Sequence, residues 1–220
     1  MADIAREHGL YLICDEVYRE FIYDGAEPAT AGRFRDIDEN LILIDSVSKR
    51  FSACGARIGA LISRNRGIMQ GALKLAQARL SVATLDQLGA AALYGVDPSY
   101  FDATRNEYRR RRDTCYRKLL EIPGIVTTEP QGAFYAFVDV RACGMDCDRF
   151  SRMLLDEERV AVVPGTAFGS EGAGFVRLSY AGDGRELREG VRRMRVFAER
   201  HVDPALGRHT PGYHHLQIMA

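Results

Sequence analysis

Four residues with reactive or phosphate-binding side chains lie in one short stretch, Asp45-Ser-Val-Ser-Lys-Arg-Phe-Ser-Ala-Cys-Gly-Ala-Arg-Ile-Gly59. They are Ser46, Ser48, Lys49 and Arg57. A lysine amine condenses with an aldehyde to form a Schiff base when burial or nearby positive charge lowers its pKa. Hydroxyl groups and a guanidinium hold a phosphate through charge-assisted hydrogen bonds. The stretch therefore suits a phosphorylated aldehyde, and a solvated lysine in a polar surface turn is the competing interpretation.

The flanking residues indicate how this stretch is positioned. The apolar runs Leu41–Ile44 and 56–62 predict two buried strands on either side of a turn. Lys49 then lies just past a strand end, where enzymes often place reactive groups. The two serines alternate about Val47, so an extended segment would point both hydroxyls the same way. Arg50, together with the arginine at 57, supplies positive charge near the lysine.

A second polar group follows an earlier apolar run. The run Gly9-Leu-Tyr-Leu-Ile-Cys14 predicts a buried strand, and Asp15 and Tyr18 come directly after it. The Asp15 carboxylate could pair with a protonated pyridine nitrogen and keep the ring an electron sink, while the Tyr18 hydroxyl could hydrogen-bond a ring oxygen. The alternative for Asp15 is an ordinary helix N-cap after a strand.

Together these stretches resemble the class I/II aminotransferases, which are fold-type I enzymes dependent on pyridoxal 5'-phosphate (PLP). That family has an Asp-x-x-Tyr turn, a Ser-x-Ser-Lys loop, a Gly-x-Arg-x-Gly segment and a late arginine strand, and all four occur here in that order. The last is Gly174-Phe-Val-Arg-Leu-Ser-Tyr180, preceded by Gly132–Phe137 and Val163–Phe168. The resemblance runs from about Met1 to about Val202 and covers only the C-terminal half of such an enzyme.

The resemblance implies PLP as cofactor and a role for each motif residue. Lys49 would form the Schiff base and then shuttle a proton as general base and acid. Asp15 would keep the pyridine nitrogen protonated, and Tyr18 would tune the ring oxygen. The cofactor-binding residues implied are Asp15, Tyr18, Ser46, Ser48, Lys49 and Arg57, of which Lys49, Asp15 and Tyr18 would be catalytic.

The late strand carries the expected substrate-binding residue. Strand alternation points Arg177 away from Val176 and Leu178, so one face should be packed and the other open to a cleft. A guanidinium fork suits a planar carboxylate, and the resemblance implies that Arg177 binds the α-carboxylate of an amino or keto acid. Otherwise it would be a surface strand arginine. Tyr135 lies in a related motif, but an ordinary core aromatic explains it equally well.

The resemblance and the hydrophobic patterns predict an α/β fold, in which an incomplete PLP-transferase-like large domain precedes a smaller α+β domain. The predicted segments are 1–97 (partial large, PLP-binding domain), 98–122 (interdomain helix), 123–203 (small C-terminal domain) and 204–220 (mobile tail). The apolar patterns predict helices over 2–8, 64–80, 84–94 and 185–201 and a strand over 160–163. The apolar positions of the last helix recur at three and four residues, namely Leu187, Val191, Met194, Phe197 and Ala198. The long helix carries Arg109–Arg112, for which we predict a solvated face. A sheet with so few strands should also leave a hydrophobic edge that needs covering.

Composition limits the other function classes. Thirty basic and thirty acidic residues cancel, which gives no electrostatic case for nucleic acid or an anionic membrane as partner. We find no apolar run of transmembrane length and no apolar signal-peptide core, so a cytoplasmic location is expected. The five cysteines are predicted to be reduced, with Cys54 buried, and no spacing suits a structural metal.

The function implied is transfer of an amino group between an α-amino acid and a 2-oxo acid. We expect weak or no activity from this chain alone, because the family's N-terminal half supplies further phosphate and ring contacts. A homodimer, or complementation by that missing half, is the expected assembly. The same residues would also serve a PLP-dependent C–S lyase or decarboxylase, and a non-catalytic PLP-binding or regulatory module, or a structural remnant, are further alternatives.

Overall fold

The structure is a computed structural model that describes residues 1–26 and 29–203, so the tail predicted over 204–220 lies outside the described residues. The chain divides into two compact units, Met1–Arg105 and Asn106–Ala220. Both combine helices with a β-sheet, and the predicted α/β fold class is confirmed. The domain boundaries at 97 and 122 stay predictions.

The first unit is built on a three-stranded sheet of order β1-β2-β3. β1 is parallel to β2, whereas β3 is antiparallel to β2. The strands are β1 (Leu12–Asp15), β2 (Leu41–Ser46) and β3 (Gly59–Ser63). The helices are α1 (Ala2–His8), α2 (Val47–Arg50), α3 (Arg66–Ala78) and α4 (Thr84–Leu93), followed by α5 (Ser99–Leu120), which crosses the division between the units.

Local signals explain where these helices begin and end. Gly9 closes α1 in the left-handed conformation, with φ of 59°, which a glycine adopts without steric cost. At α3 the Asn65 side chain accepts a hydrogen bond from the Ile68 amide, an N-cap that satisfies one of the helix's free donors. The predicted helices 2–8, 64–80 and 84–94 are therefore confirmed to within two residues.

The sheet of the first unit is much less covered than the sequence predicts. Ile13 in β1 is 65% exposed and Ile62 in β3 is 50% exposed, and every residue of β3 is at least partly exposed. The predictions that the run 9–14 and the strand within 56–62 are buried are therefore wrong for this chain, because every residue of the two stretches is exposed or only half-buried. An apolar pattern predicts which residues favour burial, but only neighbouring elements can cover them.

The second unit contains a four-stranded antiparallel sheet of order β4-β5-β7-β6. Its core includes the fully buried Val138, Val176, Phe150 and Phe197. The strands are β4 (Val126–Thr127), β5 (Tyr135–Asp139), β6 (Val163–Pro164) and β7 (Phe175–Ser179). The helices that follow α5 are α6 (Cys147–Glu158) and α7 (Gly184–His201).

The helix predicted at 185–201 is confirmed in its extent and in its buried face. The five apolar positions predicted from its three- and four-residue spacing are all buried, namely Leu187, Val191, Met194, Phe197 and Ala198. The strand predicted at 160–163 is wrong at its start, since β6 begins only at Val163. The chain leaves α6 through Arg159 in the left-handed conformation, with φ of 57°, and does not pair until β6.

Three further expectations concern charge, cysteine and membrane contact. The solvated face predicted for Arg109–Arg112 is wrong at Arg112, which is 2% exposed and donates to the Pro130 carbonyl oxygen at 3.1 Å. All five cysteines are free, as predicted, but Cys54 is exposed rather than buried. Within residues 1–26 and 29–203, no helix combines the length and apolar character needed to cross a membrane.

Candidate active site

Lys49 lies in α2, a single helical turn that starts directly after β2. Ser46 has an extended backbone and acts as the N-cap of this turn. Its Oγ accepts from the Ser48 amide at 3.0 Å and donates to the Ile58 carbonyl oxygen at 3.1 Å. The prediction that the two serines alternate along an extended segment is therefore wrong, because the helix begins at Val47. The half-buried Lys49 does follow a strand end, as predicted.

Arg57 precedes β3 in a strained backbone conformation. Its φ is 55°, which is uncommon for a residue with a side chain. The guanidinium is exposed, and its Nη1 donates to the Cys54 carbonyl oxygen at 2.8 Å. The antiparallel register places Ser46 opposite Gly59, so the loop between β2 and β3 begins and ends at paired residues.

Asp15 ends β1 and Tyr18 follows it, at the same edge of the sheet. Because β1 and β2 are parallel and Asp15 is level with Ile44, both strands end on one side. The exposed Asp15 carboxylate accepts from the Val17 amide at 3.1 Å, so it caps the turn over 17–20 rather than a helix. The half-buried Tyr18 packs edge-on against Phe21, with ring centroids 6.3 Å apart.

The structure thus brings six predicted site residues to one edge of the three-stranded sheet. One ends β1 and one follows it, three belong to the β2–α2 junction, and one precedes the antiparallel β3: Asp15, Tyr18, Ser46, Ser48, Lys49 and Arg57. This arrangement combines an amine, a carboxylate, a phenol, hydroxyls and a guanidinium.

A cavity of about 230 Å³ lies beside this edge, between the β2–β3 strands and α4. Of the predicted site residues, Ser46 alone is among those that line it. The helix α4 contributes Gln87 and Ala90 to its wall, and Tyr94 follows that helix. The cavity therefore adjoins the edge at Ser46, and Lys49 is not among its lining residues.

The environment of Arg50 was missed by sequence reasoning. Arg50 is only 5% exposed, and its Nη2 lies 2.9 Å from Asp45 Oδ2. Its Nε lies 3.6 Å from Glu20 Oε1. The prediction that Arg50 supplies positive charge near Lys49 did not include these two carboxylates, which offset the charge of the guanidinium. No local pattern in the sequence relates Glu20 to Arg50, which are thirty residues apart.

Arg177 belongs to the second unit and lies on β7. Val176 and Leu178 are buried while Arg177 is half-buried, which confirms the predicted alternation of the two faces. The guanidinium carbon lies 4.3 Å from the Tyr135 ring centroid and 4.4 Å from that of Phe168. Tyr135 is itself half-buried, so it packs beside the arginine rather than in the core.

The chain is similar in sequence to proteins of a known family. The family model described as "Aminotransferase class I and II" matches residues 1–194. The aspartate aminotransferase of Pyrococcus horikoshii is 36% identical over 201 residues, which covers 90% of this chain and 51% of that protein. The aromatic-amino-acid aminotransferase 2 of Thermococcus litoralis is 34% identical and covers 88% of this chain and 50% of that protein.

Solved structures agree with the sequence comparison. A crystal structure of an aromatic aminotransferase from Pyrococcus horikoshii OT3 matches with a TM-score of 0.85 and 36% identity, covering 90% of this chain and 54% of that one. An aspartate aminotransferase from Rhizobium meliloti matches with a TM-score of 0.84 and 26% identity, covering 92% of this chain and 53% of that one. The chain spans about half the length of the curated relatives it matches.

Proposed function

This chain belongs to the aminotransferase class I and II family, and we propose that it carries part of the machinery of a PLP-dependent aminotransferase, which moves an amino group between an α-amino acid and a 2-oxo acid. One observation carries the proposal. The lysine of α2 and the carboxylate that ends β1 lie at the same edge of one sheet, with an arginine entering β3 beside them.

The residues at this edge fit PLP by their chemistry. The cofactor has an aldehyde, a pyridine nitrogen, a ring oxygen and a phosphate, and the edge offers an amine, a carboxylate, a phenol, and hydroxyl and guanidinium groups. When bound, PLP supplies an electron sink that stabilises negative charge at the substrate Cα. No metal-binding cluster of His, Cys, Asp or Glu occurs among the described residues to suggest a different chemistry for this edge.

Lys49 would hold the cofactor covalently through Nζ and, as a free amine, would take the proton from the substrate Cα and return it to the product. Its position near the end of a one-turn helix leaves the side chain half-buried, which suits an amine that must both bind the cofactor and be released from it. Asp15 would orient the ring through its nitrogen, and the Tyr18 hydroxyl would contact the ring oxygen.

The phosphate would be held by serine hydroxyls and by the Arg57 guanidinium. The two serines differ in the hydrogen bonds that they make in the structure. Ser46 Oγ already donates to the Ile58 carbonyl oxygen, so it would have to break that hydrogen bond in order to donate to a phosphate. We therefore assign the direct phosphate contact to Ser48 and Arg57, with Ser46 contributing mainly through the cap that presents the Ser48 amide.

Arg177 is proposed to bind the α-carboxylate of the amino or keto acid. The support is chemical: a guanidinium fork matches a carboxylate with two parallel hydrogen bonds. The rings of Tyr135 and Phe168 contact the guanidinium and restrict its orientation, which reduces the entropy lost when a carboxylate binds.

We further propose that this chain alone has weak or no transaminase activity and that a partner completes the site. The partner is either a second copy of the chain or a polypeptide that completes the large domain. The exposed apolar side chains of the first unit support this, because α3 buries none of its residues and Leu75 is 74% exposed. Apolar surface of this kind marks an interaction site.

Covalent attachment of PLP tests the proposal directly. The chain contains three lysines, at 49, 74 and 118. We expect borohydride reduction of the PLP-treated chain, followed by peptide mass spectrometry, to find the label at Lys49 well above the level at the exposed Lys74. Lys49→Ala should remove the visible absorbance band of the bound cofactor, and Lys74→Ala should retain it.

Transfer of ¹⁵N from a labelled amino acid to an added 2-oxo acid then separates an enzyme from a PLP-binding module. Equal labelling of all three lysines would contradict the proposed site. Specific labelling at Lys49 without ¹⁵N transfer would support cofactor binding by an incomplete site, and activity that appears on adding a complementary large-domain half would support the proposed partner.

A further inference from the structure

Arg50 is the most buried cation beside the proposed cofactor edge, and it faces acidic groups from two directions. Asp45 approaches its Nη2 at 2.9 Å and Glu20 approaches its Nε at 3.6 Å. The guanidinium carbon also lies 5.8 Å from the ring centroids of both Phe51 and Tyr94. Carboxylates and aromatic rings therefore surround a side chain that is 5% exposed.

This arrangement is a poor source of stability. Nε and Nη2 are buried and make no hydrogen bond within the described part of the chain, so their ion pairs lack good hydrogen-bond geometry. Taking a guanidinium out of water carries a large desolvation cost, which such pairs repay only in part. A buried ion pair of this kind is better explained by the specific geometry that it enforces.

The geometry connects the two halves of the proposed site. Glu20 belongs to the turn that carries Tyr18, while Arg50 belongs to α2 and follows Lys49. Asp45 lies near the end of β2, which leads into α2. Arg50 is thus a side chain that links the Tyr18 turn to the helix of Lys49.

The helix α2 needs such an anchor. It has four residues, and an isolated turn of that length is unstable in water because helix nucleation is unfavourable. Val47 is almost fully buried and fixes the start of the turn in the core, together with Phe51 just after it. Glu20 is also paired with two further arginines, Arg105 and Arg19, each at 3.8 Å.

We propose that Arg50 is a positioning residue: its ion pair with Glu20 ties α2 to the turn over 17–20, its ion pair with Asp45 ties α2 to β2, and together they set the Lys49 amine relative to Tyr18. The link between α2 and the turn is inferred from the Arg50–Glu20 ion pair. Its consequence for cofactor attachment rests on the proposed function of Lys49.

Hydrogen exchange of the full cofactor-free chain tests the link. Glu20→Gln removes one charge at a site that is partly exposed and keeps the Arg50–Asp45 pair, so the fold should persist. We expect faster exchange of the Phe51 and Ser52 amides, which donate to carbonyls of α2, by about tenfold. Glu39→Gln makes the same charge change at an exposed position of the same unit and should leave these amides unchanged.

A rescue experiment separates positioning from general loss of structure. Arg50→Lys keeps the charge but cannot reach both carboxylates with a planar fork, so its exchange rates should lie between those of the wild type and Arg50→Met. If Arg50→Met does not fold, Glu20→Gln still decides the question. The proposal is overturned if Phe51 and Ser52 exchange equally in Glu20→Gln and Glu39→Gln.

Cofactor trapping gives an independent measurement. We expect the rate of borohydride-trapped PLP labelling at Lys49 to fall about tenfold in Glu20→Gln relative to Glu39→Gln, with labelling of Lys74 unchanged. Faster exchange without any Lys49 labelling in the wild type would support the link and contradict the proposed function. If Lys49 is labelled specifically in the wild type, and its labelling rate is the same in Glu20→Gln and Glu39→Gln, the proposal that Arg50 positions Lys49 is overturned.

Discussion

Replacing Ser46 and Ser48 one at a time should separate folding from cofactor binding at the proposed edge. Ser46→Ala removes the cap of α2, whose loss costs about 1 kcal/mol, and leaves the part-buried Ile58 carbonyl oxygen without its hydroxyl donor, which costs about 1 kcal/mol more. The first unit should therefore lose about 2 kcal/mol of stability. With an m-value of about 2 kcal/mol per molar urea, its unfolding midpoint should fall by about 1 M.

The Ser48 hydroxyl has a different expected effect, because Ser48 takes part in the cap through its backbone amide. Ser48→Ala should change stability by less than about 0.5 kcal/mol, as is usual for substitutions that break no buried contact. It should weaken PLP binding about tenfold, because a hydrogen bond to a charged group contributes about 1.5–3 kcal/mol. Ser46→Thr, which keeps the hydroxyl, should recover most of the stability lost in Ser46→Ala.

Urea unfolding followed by far-ultraviolet circular dichroism measures the first effect, and titration with PLP followed by its visible absorbance measures the second. The reasoning would be refuted if Ser46→Ala and Ser48→Ala had the same unfolding midpoint. It would also be refuted if Ser48→Ala bound PLP as tightly as the wild type while Ser46→Ala did not, since that would assign the phosphate contact to the capping residue.

Three further predictions concern other parts of the chain. Arg177→Lys keeps the charge but loses the planar fork, so calorimetric titration with a 2-oxo acid should show at least about tenfold weaker binding, and the exposed Arg185→Lys should show no change. Cys54 is exposed, so a thiol reagent at neutral pH should react with it rapidly, and Cys54→Ser should abolish this fast phase. Burial raises the pKa of Cys115 to about 12, so its thiolate should stay scarce up to pH 9. Rapid reaction of Cys115 in the folded chain would contradict this prediction. Arg112→Met removes the buried guanidinium that donates to the Pro130 carbonyl oxygen at 3.1 Å and should lower the free energy of unfolding by about 1–2 kcal/mol, whereas exposed Arg109→Met should change it by less than about 0.5 kcal/mol in the same urea experiment.

The sequence by itself determined the features that depend on short spacing along the chain. The buried face of α7 follows from apolar residues three and four positions apart, and the alternation in β7 separates Arg177 from the buried Val176 and Leu178. The order of the polar motifs was enough to identify the family, whose model matches residues 1–194. These features are local, because side-chain direction in a helix or strand repeats with a fixed period.

Only the tertiary structure decided which side chains are covered and which charges are paired. The sequence predicted a solvated face for Arg112 and a positive charge near Lys49 for Arg50, yet both side chains are buried among partners that include residues distant in the chain. Ile62 and Cys54 looked buried, yet both are exposed. Burial and ion pairing depend on which elements come to lie beside a residue in space, and a pattern within a few residues carries no information about that neighbour.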